Sequence, residues 1–217
     1  MNPLHERLAR VGLSAIGRFG FCLAGGYAVQ AHGFVHRQSE DVDLFATMDI
    51  ADTFPDAVQE LLAAYRADGL DATVTRNGAT FARVEVTDPA SDARGRVELG
   101  VDWRAYPPAR FEIGPVLHPD DAVANKVCAL FGRGAVRDYI DVDGIMRSGR
   151  YPMARLLELA VEHDPGFRAD MFADALLSVR RLPCSAFEAY DMSADDAEAL
   201  VARVVDYAAQ VHAAGCP

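Results

Sequence analysis

A change of hydrophobic pattern near Pro107 and Pro108 is the feature that most constrains the fold of this chain. Before it, short apolar runs that alternate with polar residues predict strands, separated by helical stretches. The strand candidates are residues 19–25, 41–46, 70–77, 79–88 and 95–103. After it, the remaining stretches carry the apolar spacing of helices almost to residue 217. We therefore expect an α+β protein, with a mixed sheet in residues 1–110 and a helical bundle in residues 111–217.

The composition is that of a folded, acidic protein. Of its 217 residues, 51% are hydrophobic and 24% are charged, which excludes wholesale disorder. A surplus of Asp and Glu (32) over Lys and Arg (21) gives a formal net charge of −11. This charge argues against a broad nucleic-acid-binding surface, because phosphate neutralisation needs clustered positive charge. A small acidic site that holds metal ions is compatible with it.

The sequence favours a cytoplasmic protein without a membrane partner. Arginines interrupt the apolar residues of the N-terminal segment, so this segment does not resemble a signal peptide. No run of about 18 apolar residues occurs, so we expect no membrane span. The cysteines, which are too scattered for a disulfide framework or a structural zinc site, are Cys22, Cys128, Cys184 and Cys216.

Gly25 and Gly26 lie where the first strand candidate passes into a helical stretch. Two glycines at such a junction let the backbone approach a ligand closely, and the following helix N-terminus offers free amides to a phosphate. A Gly-Gly turn also often does no more than connect two elements. This feature alone is therefore a weak sign of a site.

A second feature is the alternation of Asp41, Val42, Asp43 and Leu44. Residues two apart share a face of a strand, so both carboxylates point one way while the apolar pair points into the core. The two carboxylates repel each other unless a cation lies between them. The pattern is typical of a metal site, although an edge strand with solvated aspartates would have the same pattern.

A third carboxylate lies in the later strand candidate RVELGVDW. Its apolar residues at 97, 99 and 101 form the buried face, so Glu98 and Asp102 fall on the other face. We expect Asp102 to join the aspartate pair, with Glu98 as the alternative and a merely polar strand face as the simpler explanation. The combination suits nucleotidyl transfer, because hard oxygen ligands hold two Mg²⁺ ions that bind a triphosphate and stabilise the pyrophosphate leaving group.

This combination resembles the DNA polymerase beta-type nucleotidyltransferase superfamily, whose signature is a Gly-Gly or Gly-Ser turn followed by Asp-x-Asp or Asp-x-Glu. Residues 22–45 resemble more closely the AbiEii/AbiGii-type nucleotidyltransferase toxin family, through Gly25, Gly26, His36, Arg37, Ser39, Asp41, Asp43, Leu44 and Phe45. Residues 118–142 resemble a later motif of that family, through Lys126, Arg137, Asp138, Tyr139 and Asp141.

The resemblance implies a role for each matching residue. The residues implied to contact the phosphates of a nucleoside triphosphate (NTP) are Gly25, Gly26, Arg37 and Ser39. Those implied to hold Mg²⁺ are Asp41, Asp43 and Asp102, and Asp102 could also accept the proton of the attacking hydroxyl. Lys126 would neutralise triphosphate charge, and Asp138 would orient it or contact the nucleotide. Residues 1–110 would be the catalytic domain, and residues 111–217 a helical domain that completes the nucleotide site.

Three of these residues also have simpler explanations. Lys126 is the only lysine among the 21 Lys and Arg residues, and a compact ammonium acts on phosphate as a point charge. A lone lysine can also arise by chance in an arginine-rich composition. Arg37 could form an ion pair with Glu40 or another surface acid. Asp138 and Asp141 could share one helix face, either functional or solvated.

We expect a Mg²⁺-dependent nucleotidyltransferase that moves NMP from an NTP to an acceptor hydroxyl. The resemblance implies the toxin of a toxin–antitoxin or phage-defence system, with tRNA as acceptor and a cognate antitoxin as partner. A second interpretation uses a small hydroxylated antibiotic as acceptor, because an acidic cleft attracts a cationic drug. A third is a catalytically idle nucleotide-binding or partner-binding module, which the intact Asp41, Asp43 and Lys126 argue against.

Overall fold

The strands in the first half of the chain form one mixed sheet. In the computed structural model, which describes residues 1–214, the strands are β1 (Cys22–Leu23), β2 (Val42–Ala46), β3 (Asp71–Asn77), β4 (Phe81–Asp88), β5 (Ala93–Val101), β6 (Ala109–Phe111) and β7 (Gly114–Val116). Their order in the sheet is β3-β4-β5-β2-β1-β7-β6. β2 pairs in parallel with β5, and β1 with β7, whereas the other neighbours are antiparallel. The predicted α+β class with a mixed sheet is confirmed.

Three helices accompany the sheet in the first of two units, Met1–Ala31 with Gln38–Pro119. They are α1 (Pro3–Ile16), α2 (Gly25–Ala31) and α3 (Phe54–Ala67). α1 lies so close to the sheet that a Cβ added at Gly12 would come within 2.9 Å of Leu44 Cδ1. Because side chains alternate along β2, Asp43 points to the sheet face opposite α1.

The second unit, His32–Arg37 with the chain from Asp120 onward, is helical. Its helices are α4 (Pro119–Gly132), α5 (Val136–Arg147), α6 (Met153–His163), α7 (Ala169–Leu177), α8 (Ser185–Glu188) and α9 (Ala194–Ala214). α9 packs against α5, α6, α7 and α8, and it buries Leu200 and Val204. The carboxylate of Asp143 in α5 ties the two helices together, since it accepts hydrogen bonds from Arg203 at 2.8 Å and from Tyr207 at 3.0 Å.

The sequence pattern does not predict two features of this fold. The β6–β7 hairpin follows Pro108, and because β7 pairs with β1 the first unit continues to Pro119. Residues 32–37 pack against α5, where a Cβ added at Gly144 would come within 2.6 Å of the Phe34 carbonyl oxygen. Strands of three residues, and contacts between distant segments, leave no periodic signature in a sequence.

Two negative predictions concern cysteines and membrane spans. Within residues 1–214, no disulfide joins Cys22, Cys128 and Cys184 to one another. Cys216 lies outside the described residues, as does residue 215 at the end of the last predicted helix. None of the helices in the described part of the chain is both long enough and apolar enough to cross a bilayer.

Candidate active site

Gly25 places the start of α2 directly against the carboxylate of Asp43. Its φ angle is +57°, a left-handed conformation that glycine adopts without steric cost. A Cβ at this position would lie 1.6 Å from Asp43 Oδ2, so only glycine leaves room for the carboxylate. The Ala24 N–H donates a hydrogen bond to the Asp43 carbonyl at 2.9 Å and fixes this approach. The glycine at this turn therefore shapes the space around a carboxylate and does more than connect two elements.

Three carboxylates meet on the sheet face that carries Asp43. The parallel pairing of β2 and β5 sets Asp43 opposite Glu98, and Asp41 immediately precedes β2. Oxygen atoms of Asp41, Asp43 and Glu98 lie within 4.8 Å of one another. Three like charges at this separation repel each other, and a divalent cation relieves that repulsion. Because all the donors are carboxylate oxygens, the group fits a magnesium site.

Arg83 holds Glu98 in this group. The two residues face each other across the β4–β5 pairing. Arg83 Nε and Nη2 both donate to Glu98 Oε1, at 2.9 and 2.6 Å. Since both bonds end on Oε1, the other oxygen of Glu98 is left for a metal ion. The arginine thus offsets part of the negative charge of the carboxylate group.

The structure does not bring Asp102 to the carboxylate group. Asp102 follows the last residue of β5, which places it about 13 Å along the strand direction from Glu98. Its N–H donates to the Ala46 carbonyl at 2.8 Å, and its carboxylate accepts from the Trp103 N–H at 2.8 Å. Glu98, the alternative in the sequence, takes the third position because the β2–β5 register sets it opposite Asp43.

Ser39 lies two residues before Asp41, Gly26 follows Gly25, and both Ser39 and Gly26 are buried. The Ser39 hydroxyl donates to Asp41 Oδ1 at 3.5 Å. Gly26 lies in the first turn of α2, next to Gly25. The contacts that the sequence resemblance implies between these two residues and a phosphate stay predictions.

A buried ionic cluster in the second unit contains Arg37 and Lys126. Arg37 donates to Asp141 Oδ1 and Oδ2 at 2.7 and 2.6 Å, and Lys126 Nζ lies 2.9 Å from Asp141 Oδ2. The exposed fractions of the Arg37, Lys126 and Asp141 side chains are 4%, 8% and 0%. Burial by itself raises the pKa of Asp141, but Lys126 and Arg37 outweigh it and hold that pKa below its usual value. Because two cations share one carboxylate, these three side chains together carry a net positive charge.

Asp138 has a set of partners of its own at the start of α5. Its carboxylate accepts from Arg133 Nε at 2.9 Å, from Arg133 Nη2 at 2.8 Å and from the Ala135 N–H at 3.0 Å. The carboxylate that pairs with Lys126 is thus that of Asp141 and not that of Asp138. The sequence does not predict this pair. Both aspartates are 0% exposed, so the solvated helix face that the spacing allowed is wrong.

The position of Arg83 opposite Glu98 can be inferred from the sequence, although hydrophobic periodicity alone does not predict it. The β4–β5 hairpin closes on the pair Asp88 and Ala93. Arg83 lies five residues before Asp88, and Glu98 lies five residues after Ala93, so the two residues face each other. A salt bridge across this hairpin could therefore have been inferred from the length of its loop.

The fold and the site together define a class of enzyme. Carboxylates on neighbouring strands of a mixed sheet, beside a glycine turn, are the arrangement of a nucleotidyltransferase. The profile of the family described as "Nucleotidyl transferase AbiEii toxin, Type IV TA system" matches residues 17–209. The chain belongs to this AbiEii nucleotidyltransferase toxin family, and the predicted membership is confirmed.

Solved structures agree with this assignment at the level of the fold. A proposed nucleotidyltransferase from H. pylori has a TM-score of 0.63 and 18% identity, over 98% of this chain and 96% of that one. JHP933 from Helicobacter pylori has a TM-score of 0.60 and 19% identity, with 97% and 91% coverage. MenT4, the nucleotidyltransferase toxin Rv2826c from Mycobacterium tuberculosis H37Rv, has a TM-score of 0.53 and 17% identity, with 97% and 86% coverage. No curated protein sequence matches the chain.

The contact between Gly25 and Asp43 yields a first prediction. Gly25→Ala should reduce nucleotidyl transfer by at least about a hundredfold, because its Cβ displaces a carboxylate that must be positioned within an ångström. Gly69→Ala is the matched control, since Gly69 also has a positive φ (+80°) but nothing within 4 Å of an added Cβ. Both variants should lose about 1–2 kcal/mol of stability from the left-handed backbone. Equal activity of the two variants in a transfer assay would contradict this account.

The buried cluster around Asp141 yields a second prediction, on pH. Asp141→Asn removes the buried carboxylate that Arg37 and Lys126 share, and it should cost about 3–5 kcal/mol of unfolding free energy at neutral pH. Because the pKa of Asp141 is lowered in the folded state, its contribution is complete at neutral pH and is lost as the pH falls through that lowered pKa. The difference in unfolding free energy between wild type and variant, measured by urea denaturation, should therefore decrease as the pH falls.

A difference in unfolding free energy between wild type and Asp141→Asn that stays constant across the acid range would contradict this explanation. Glu6→Gln serves as the control, because the Glu6–Arg10 pair is 46% exposed on both sides. Its loss should cost less than about 1 kcal/mol at neutral pH.

Proposed function

We propose that this chain is a magnesium-dependent nucleotidyltransferase that moves NMP from an NTP to a hydroxyl group of an acceptor. The observation that carries the proposal is the meeting of Asp41, Asp43 and Glu98 oxygens within 4.8 Å on one sheet face. Mg²⁺ held there would supply positive charge to the triphosphate and to the departing pyrophosphate. In the reaction, the acceptor oxygen forms a bond to the α-phosphorus, and the bond from that phosphorus to the pyrophosphate oxygen breaks.

Different residues are proposed to bind the metal ion and to contact the phosphates. Asp41 and Asp43 are the proposed metal ligands from the β2 segment, and Glu98 is the proposed third ligand, fixed by Arg83. The implied roles of Gly25, Gly26 and Ser39 as phosphate contacts are part of the same proposal. Asp102 lies about 13 Å along the strand direction from Glu98, which argues against it as the third carboxylate, and the variants below test this choice.

Lys126 is proposed to neutralise triphosphate charge, with Arg37 as a second cation beside it. The support is that two cationic side chains, Arg37 and Lys126, meet at one carboxylate of the second unit, at 2.6 and 2.9 Å from Asp141 Oδ2. Cations that hydrogen-bond to a carboxylate in a buried setting are also well placed to bind phosphate oxygens. Asp138, whose carboxylate is held by Arg133 and the Ala135 N–H, is proposed to contact the nucleotide.

The family description supports a toxin, for which we propose tRNA as the acceptor and a cognate antitoxin as the partner. The formal charge of −11 favours a second candidate, a small cationic molecule with free hydroxyl groups, because like charges repel tRNA. In either case the carboxylate group and the transfer chemistry are the same. The two candidates differ in the acceptor alone.

Exchange of each carboxylate for its isosteric amide tests the proposed site. Asp41→Asn, Asp43→Asn and Glu98→Gln should each lower transfer at least about a hundredfold, because each removes charge that the site needs to hold the cation. Asp102→Asn is the matched variant, and it should leave the rate nearly unchanged. Circular dichroism should show that all four variants fold. Full activity of Glu98→Gln together with loss of activity in Asp102→Asn would contradict the assignment of the third ligand.

The same transfer assay identifies the acceptor. Each α-labelled NTP is incubated with the protein, Mg²⁺ and either total tRNA or an aminoglycoside. Label retained in RNA would support tRNA, and label in the small molecule alone would support the second candidate. No transfer from any NTP to either acceptor, with wild-type protein that is folded, would count against both.

A further inference from the structure

Asp41 differs from its two partners in how it is held. Asp43 and Glu98 lie on paired strands, whose hydrogen bonds fix their positions. Asp41 precedes β2, at the end of a segment from residue 38 that has neither helix nor strand. Its side chain is nevertheless buried, with the residue 9% exposed. Contacts other than the sheet ladder must therefore fix this carboxylate.

A series of buried hydrogen bonds leads from Asp41 to α2 and then to α1 within the first unit. The Ser39 hydroxyl donates to Asp41 Oδ1 at 3.5 Å, and the Tyr27 hydroxyl donates to the Ser39 carbonyl at 3.4 Å. The Tyr27 oxygen lies 2.6 Å from His5 Nδ1. Tyr27 is 1% exposed and His5 is 5% exposed, so these bonds are shielded from water. In such surroundings a polar group that loses its partner is left unsatisfied, and this is costly.

The directions of these bonds fit one arrangement of protons. If the Tyr27 hydroxyl donates to the Ser39 carbonyl, its oxygen accepts from His5, and this arrangement requires the His5 tautomer that is protonated at Nδ1. The rings of His5 and Tyr27 also meet edge to face, with centroids 5.6 Å apart. Burial lowers the pKa of His5, which favours the neutral imidazole, while the negative charge of Asp41 opposes this effect. Neutral His5 thus helps to hold the Tyr27 side chain in place.

His5 and Tyr27, the two side chains of this series that lie farthest from Asp41, belong to helices that are themselves well fixed. His5 lies in the first turn of α1, where its N–H donates to the side chain of Asn2 at 2.7 Å. α1 lies tightly against β5, since a Cβ added at Gly95 would come within 2.8 Å of Leu8 Cδ1. Tyr27 lies in α2, whose first residue contacts Asp43. The segment before β2 is therefore tied to α1 and to α2, and the first residue of α2 contacts Asp43.

We propose that Tyr27, supported by His5, is a positioning residue that sets the carboxylate of Asp41 for metal binding. The inference rests on the proposed function, because it takes Asp41 as a metal ligand. Residues that orient metal ligands without touching the metal commonly change metal affinity by about ten- to a hundredfold when they are lost. Neither Tyr27 nor His5 would contact the nucleotide or the acceptor in this role.

Tyr27→Phe tests the proposal, because it removes one oxygen and keeps the ring. Mn²⁺ binding to the full chain, measured by calorimetry without nucleotide, should weaken about tenfold. The Mn²⁺ concentration for half-maximal transfer should rise by a similar factor, whereas kcat at saturating Mn²⁺ should return close to the wild-type value. His5→Phe should shift both measurements in the same direction by about threefold, since it removes the outer bond only.

Tyr65→Phe is the matched control. Tyr65 is also fully buried in the first unit, and its hydroxyl donates to the Leu8 carbonyl at 2.9 Å. Its loss therefore removes one buried hydrogen bond, as Tyr27→Phe does, without touching the segment before β2. Both variants should unfold at similarly reduced temperatures, but Tyr65→Phe should bind Mn²⁺ as tightly as the wild type.

The outcomes separate this inference from the proposed function. If Tyr27→Phe and His5→Phe bind Mn²⁺ as tightly as Tyr65→Phe does, the inference is overturned, even where Asp41→Asn abolishes binding. If wild-type protein does not bind Mn²⁺, or Asp41→Asn binds it unchanged, the proposed metal site itself fails. Weakened binding in Tyr27→Phe that excess Mn²⁺ rescues, together with loss in Asp41→Asn that it does not rescue, supports both.

Discussion

The parallel pairing of β2 with β5 is the interaction on which the site depends. It joins two strands that are separated in the chain by α3 and by two other strands, and it sets Asp43 opposite Glu98. On the other face of the same strands, Leu44 lies opposite Leu99, and both are fully buried. A slip of one residue would turn the carboxylates of one strand into the core. The hydrophobic face therefore fixes the register, and the register assembles the carboxylates.

Three of the carboxylates that the protein pairs with arginine are buried, whereas a fourth, Glu98, is 17% exposed. A planar guanidinium can bind a carboxylate with two hydrogen bonds, which lowers the cost of removing both groups from water. These pairs are Arg83–Glu98, Arg133–Asp138, Arg203–Asp143 and Arg37–Asp141. Lys126 breaks this pattern, because it joins a carboxylate that already has an arginine. Its extra charge is what makes the cluster a candidate for binding an anion.

The sequence predicts much of this structure because local patterns carry much of the information. Alternation locates β2 with Asp43 and the preceding Asp41, the Gly-Gly turn locates the start of α2, and helical spacing locates the later helices. The third carboxylate is harder, because strand phase is shared by Glu98 and Asp102 and only the register with a distant strand separates them. Asp141 as the partner of Lys126, and Tyr27 as the support for the Asp41 segment, depend likewise on contacts between distant residues. No spacing rule reports such contacts.

The central claim is that three carboxylates of the first unit form one metal site. Anomalous diffraction from a crystal of this protein soaked in Mn²⁺ tests it most directly, because the signal locates the ion independently of catalysis. We expect a peak within coordination distance of oxygens from Asp41, Asp43 and Glu98, about 2–2.5 Å from each. A peak bound by Asp102 without Glu98, or no peak among these carboxylates at saturating Mn²⁺, would contradict it.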